Sequence, residues 1–172
     1  FANNASITTV PAGLFNGVSS GLAADQRVTF NQVFRSSRLT NIPVNLFATN
    51  TNASNFSGAF QDVHTLISVP ANLFINNGMV VDGGFNGVFQ NAGSYASGTR
   101  LRNQPNVHMH FHSNVSPAWF NNVSFQFTTP ANITGNLHVN FTATNGSNFN
   151  NTNTFGHPRV FTCAPGCTIG NQ

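Results

Sequence analysis

The segment Leu66-Ile-Ser-Val-Pro-Ala-Asn-Leu-Phe74 carries the plan of this chain. Leu66 and Val69 are apolar, Pro70 has no N–H with which to continue a ladder, and Leu73–Phe74 return two large side chains to an interior. The same pattern stands at Ile7-Thr-Thr-Val-Pro-Ala-Gly-Leu-Phe15 and at Leu39-Thr-Asn-Ile-Pro-Val-Asn-Leu-Phe47. A copy with one inserted residue runs from Phe111 to Phe120, and a shorter echo follows at Thr129-Pro-Ala-Asn-Ile133. Recurrence of this kind outranks local propensity when a fold is assigned.

A second motif answers the first. Phe30-Asn-Gln-Val-Phe34, Phe56-Ser-Gly-Ala-Phe60 and Phe85-Asn-Gly-Val-Phe89 each follow a Leu-Phe pair after a polar loop of variable length. Aromatics four apart share one side of a helical turn, so each motif reads as a short helical turn. One repeat is then a strand, a Pro stop, a Leu-Phe anchor, a loop and a Phe-x-x-x-Phe turn. Such a unit cannot bury its apolar face alone, whereas stacked copies make one continuous core. The expected fold is therefore mainly β, a repeat solenoid.

The alternation resembles the BspA-like class of leucine-rich repeats in bacterial surface proteins. The residues that carry it are Leu39-Thr-Asn-Ile-Pro-Val-Asn-Leu-Phe47, Phe56-Ser-Gly-Ala-Phe60 and Leu66-Ile-Ser-Val-Pro-Ala-Asn-Leu-Phe74. It covers residues 7–100 well and 101–141 loosely. Cysteines often placed around the Phe-rich turn in that family are replaced here by Gln61, Val63 and Gln90. The resemblance implies a curved solenoid at a cell surface, used in adhesion or recognition, and no catalytic residues.

Composition narrows the function. Charged residues make up 5% of the 172, against a usual share of about 25%. There is no Lys and no Glu; the net charge of +3 comes from six Arg against three Asp. The basic pI thus reflects scarce acids, and nucleic acid is not an expected partner. A neutral surface rich in Asn, Ser, Thr and Gly lets copies pack together at little electrostatic cost. The chain opens on Phe1 without Met, which reads as a processed form, and no apolar run is long enough to span a membrane.

Residues 1–6 read as a polar lead-in, followed by repeats at 7–38, 39–65 and 66–100. Residues 1–100 are thus leucine-rich-like repeats and 101–162 a more regular β continuation of the solenoid. Within the latter, Asn106–Phe111, Asn122–Phe127 and Asn136–Phe141 each alternate apolar and polar residues, the period of a strand. Parallel stacking and antiparallel hairpins both fit them. Arg159–Thr162 reads as one last strand, and residues 163–172 as a tail closed by a Cys163–Cys167 disulfide across Pro165-Gly166. That bridge fits an oxidising compartment.

Of the polar residues, His108, His110, His112 and His138 are candidate metal ligands. Same-face positions on one strand lie nearly 7 Å apart, too far for easy chelation by neighbours, so no metal site is expected. These residues read instead as a solvent-facing or interface stripe. Asp25, Asp62 and Asp82 are dispersed turn residues, not a paired acid–base site. Arg35, Arg38, Arg100 and Arg102 fall at repeat ends as carbonyl caps or a modest cationic strip. Asn52, Asn55, Asn114, Asn122, Asn132, Asn140 and Asn145 open Asn-x-Ser/Thr glycosylation triplets. The expectation is an extracellular or cell-surface protein with no enzymatic activity and no cofactor. It self-assembles into a filament or sheath, or, alternatively, binds a protein or glycan through its concave strand face.

Overall fold

The computed structural model describes residues 1–90, 92–93, 112 and 114, together with the backbone of strands at 107–111, 137–141 and 159–163. These strands are β1 (Val28–Thr29), β2 (Ala53–Asn55), β3 (Val107–Phe111), β4 (Leu137–Phe141) and β5 (Arg159–Cys163). β1 pairs with β2, and β3-β4-β5 form a second sheet; every pairing is parallel. Antiparallel hairpins are thereby excluded for the three described strands of the C-terminal part. Asn122–Phe127, expected as a strand between β3 and β4, lies outside the described residues.

Most of the order in residues 1–93 is turn rather than strand. Phe30, Gln32, Phe34 and Ser36 donate their N–H groups to the carbonyls of Asn55, Ser57, Ala59 and Gln61, at 2.7–2.9 Å. Phe56, Gly58, Phe60 and Asp62 repeat the pattern toward Gly84, Asn86, Val88 and Gln90. The intervening N–H groups bond locally, three residues back: Val33 to Phe30, Arg35 to Gln32, Ala59 to Phe56, Gln61 to Gly58. Each Phe-x-x-x-Phe motif is thus a run of β-turns whose alternate donors reach the neighbouring copy.

The expected helical turns are replaced by this arrangement, and among the described residues no helix forms. A helix would send every donor four residues back and leave none for the neighbour. The turns instead need a left-handed residue at their third position. Gln32, Gly58 and Gly87 take it at φ 53°, 62° and 60°. Two of the three are Gly, for which this region carries no steric penalty.

The Pro-containing segments pair with the opposite sense. Arg38 and Thr40 donate back to Ile7 and Thr8, and Ile67 donates back to Thr40. Successive copies are therefore tied on two sides, with the apolar residues between them. Leu39, Ile42, Leu46, Leu66, Val69 and Leu73 are all at most 4% exposed, as the alternation of the motif requires.

Phenylalanine fills the interior in three columns. Phe15, Phe47 and Phe74 form one; Phe30, Phe56 and Phe85 the second; Phe34, Phe60 and Phe89 the third. Within a column, centroids are 5.4–6.0 Å apart and planes within 19° of parallel. Strands in a sheet are spaced about 4.8 Å, so the rings are offset as well as stacked, the arrangement their quadrupoles favour. Between columns the rings tilt, as in Phe47 against Phe56 at 4.8 Å and 62°. Each fully buried ring contributes roughly 1.5–3 kcal/mol.

Two buried asparagines join the copies from the side. Asn50 donates through Nδ2 to the carbonyl of Phe15 at 3.0 Å and to Ser19 Oγ at 3.2 Å. Asn77 donates to the carbonyls of Phe47 and Asn50 at 3.2 and 2.9 Å. Each stands three residues after its Leu-Phe anchor and ties its own loop to the preceding one.

Candidate functional site

The third ring column continues to Phe1. Phe1 lies on Phe34 with centroids 5.8 Å and planes 15° apart, and tilts against Phe15 at 6.4 Å. Asn3 donates its N–H to the Arg35 carbonyl at 2.7 Å. Asn3, Ser36 and Asp62 share the left-handed conformation, at φ 58°, 55° and 59°. Phe1–Asn3 therefore occupy the same place as Phe34–Ser36 and Phe60–Asp62 in the copies that follow. The expected polar lead-in is part of a rung.

Phe1 is 59% exposed, whereas Phe34, Phe60 and Phe89 in its column are 0% exposed. Ile7, Val10, Leu14 and Val28 are only partly buried, while Leu39, Ile42 and Leu46 at the matching positions of the next copy are buried. The carbonyls of Ser57 and Ala59, and of Asn86 and Val88, each receive an N–H from the preceding copy. Those of Asn31 and Val33, at the same positions, receive none from a described residue.

The strand face is placed by register. His108 stands opposite His138, His110 opposite Asn140, and Asn140 opposite Thr162. Val107, Met109 and Phe111 stand opposite Leu137, Val139 and Phe141. His112 departs from this set. It follows β3, is partly buried, and its Nδ1 accepts the N–H of Asn114 at 3.1 Å. Its ring lies so close to Gly78 that a Cβ there would meet Nδ1 at 2.5 Å. His112 packs on Gly78 of the third repeat.

The remaining candidates scatter. Asp62 Oδ2 lies 3.7 Å from Arg35 Nε, a pair between adjacent copies with side chains 23% and 38% exposed. Asp25, Asp82 and Arg38 are exposed; Arg100 and Arg102 lie outside the described residues. Among the described residues no group of three or more His, Cys, Asp or Glu side chains is placed to hold a metal ion. Cys163 ends β5, and Cys167 lies outside the described residues, so the bridge between them does too.

The glycosylation triplets divide similarly. Asn52 is partly buried, and Ser54 of its triplet is 8% exposed with Oγ donating to the Val28 carbonyl. Asn55 Oδ1 accepts the N–H of Ser57, whose Oγ donates to the Asn86 carbonyl. Asn114 is exposed, and Asn140 sits in β4. Asn122, Asn132 and Asn145 lie outside the described residues. Among the described residues, no helix is long and apolar enough to cross a membrane.

Sequence reasoning missed Phe1, Asn50 and Asn77. For the asparagines a signal was present, since Leu46-Phe47-x-x-Asn50 recurs as Leu73-Phe74-x-x-Asn77. No protein-family model, curated protein or solved structure matches this chain.

Proposed function

We propose that this chain is a repeat solenoid of the BspA-like kind and serves as an extracellular structural subunit that self-assembles into a filament or sheath. The observation that supports it best is the repetition of ring stacking and N–H donation from one copy to the next. Each internal copy covers the rings of its neighbour and donates N–H groups to the neighbour's carbonyls, so a rung of the same repeat is the chemical match for the face of another. Each such bond contributes about 1 kcal/mol.

Stacking of rungs is a head-to-tail contact, and such contacts grow into open filaments when the rotation does not close a ring. Scarce charge assists, because copies meet with little repulsion. Electron microscopy of the purified chain, with light scattering on the same sample, tests this reading. Ordered fibres are expected; a stable monomer at high concentration overturns it.

A second reading, recognition of a protein or glycan by the strand face, is favoured by one local feature. Ser68 Oγ donates to Asn41 Oδ1 across adjacent copies at 3.2 Å, on exposed or partly exposed residues. Hydroxyls and amides in such a row suit a hydroxylated ligand. A monomer that binds immobilised glycans would favour this reading over assembly.

A further inference from the structure

We propose that β3 and β4 carry a transition-metal site built on His108 and His138. Along a single strand, same-face residues are separated by nearly 7 Å, which disfavours chelation by neighbours. The parallel register changes the relevant distance. His108 and His138 occupy paired positions on adjacent strands, where the backbones are about 4.8 Å apart. Two imidazole nitrogens sharing a tetrahedral Zn²⁺ at about 2.0–2.1 Å lie about 3.3 Å from each other, a modest convergence from that spacing.

The rows around the pair limit it to these residues. Paired positions in a parallel sheet share a face, and His110 is the next residue on that face of β3. Across from His110 stands Asn140, and beyond His138 stands Val160 on β5, so the donors are confined to β3 and β4. The intervening rows are apolar, with Met109 beside Val139 and Phe161. His112 is occupied elsewhere, against Gly78. Imidazole donors without a carboxylate suit Zn²⁺, Cu²⁺ or Ni²⁺, and exclude Ca²⁺ and Mg²⁺, which take oxygen ligands.

The test uses the whole chain and ZnCl₂. Imidazoles are modified with diethyl pyrocarbonate with and without Zn²⁺, and each histidine is read by peptide mass spectrometry. Zn²⁺ is expected to protect His108 and His138 while leaving the exposed His64 reacting as before. His108→Gln and His138→Gln should each weaken Zn²⁺ binding by at least about tenfold, and His64→Gln should not. Cu²⁺ bound to the unsubstituted chain, read by electron paramagnetic resonance, should show coupling to two or more imidazole nitrogens; this reading needs no variant to fold. Equal protection of all histidines, or no protection at about 1 mM Zn²⁺, overturns the proposal.

Discussion

The side chain of Asn77 donates to the main-chain carbonyl of Asn50 at 2.9 Å, and Asn50 in turn reaches the carbonyl of Phe15 at 3.0 Å. Both asparagines are 0% exposed. The contact lets a polar loop close over an aromatic core, because carbonyls that face inward are met by an amide from the next copy. Replacing Asn77 by Ala strands the carbonyls of Phe47 and Asn50 from this donor. The expected loss is about 1–3 kcal/mol, seen as a lower urea midpoint with unchanged slope.

Phe1 and Phe60 share a column but differ in burial. Phe60 is 0% exposed between Phe34 and Phe89, so Phe60→Ala should cost about 3–5 kcal/mol. Phe1 is 59% exposed, and Phe1→Ala should cost about 1 kcal/mol or less in a urea melt. Equal losses for the two variants would mean that the columns do not carry the stability.

Two glycines distinguish steric from conformational cost. A Cβ on Gly84 would meet the main-chain oxygens of Ser54 and Val81 at 2.8 and 2.9 Å, and backbone cannot step aside cheaply. Gly17 sits at φ +83° with nothing within 4 Å of such a Cβ. Gly17→Ala should therefore cost only the left-handed strain, about 1–2 kcal/mol, and Gly84→Ala visibly more. Thermal melts of the two variants check the order.

Gly78→Ala sets a methyl against the ring of His112, 2.6 Å from Cε1. The imidazole is the part that can move, so the penalty belongs to the pair. A double-mutant cycle with His112→Ala should show a coupling of about 0.5–3 kcal/mol, the second change relieving the first. Additive effects would mean that the two residues do not touch.

Assembly should respond little to salt. With 5% charged residues, few charges are available to screen. Raising NaCl from about 0.05 to 0.5 M should shift the half-assembly concentration less than about twofold. A tenfold shift would point to a charged interface.

Much of this architecture was legible in the residues. The recurrence of Leu39–Phe47 as Leu66–Phe74 placed the buried Leu and Phe positions at once, because one repeat's core residue is the next repeat's neighbour. The turns were not legible in the same way. A Phe-x-x-x-Phe spacing fits a helix as well as it fits consecutive β-turns, and Gln32 hides a left-handed position that Gly58 and Gly87 display. Asn50 and Asn77 were lost in a background where Asn is common. Phe1 was missed because only the ring beneath it shows what it is. The pairing of His108 with His138 depends on register across strands, which no single segment encodes.

The alternation of donors in the turn runs has a mechanical consequence. Phe30, Gln32, Phe34 and Ser36 grip the copy after them, and Phe56, Gly58, Phe60 and Asp62 grip the next, so tension is carried by equivalent clasps arranged in series. A pull along the columns would release the four-bond clasps one after another. Such a chain yields in steps and lengthens under strain, with no single point whose failure undoes the whole.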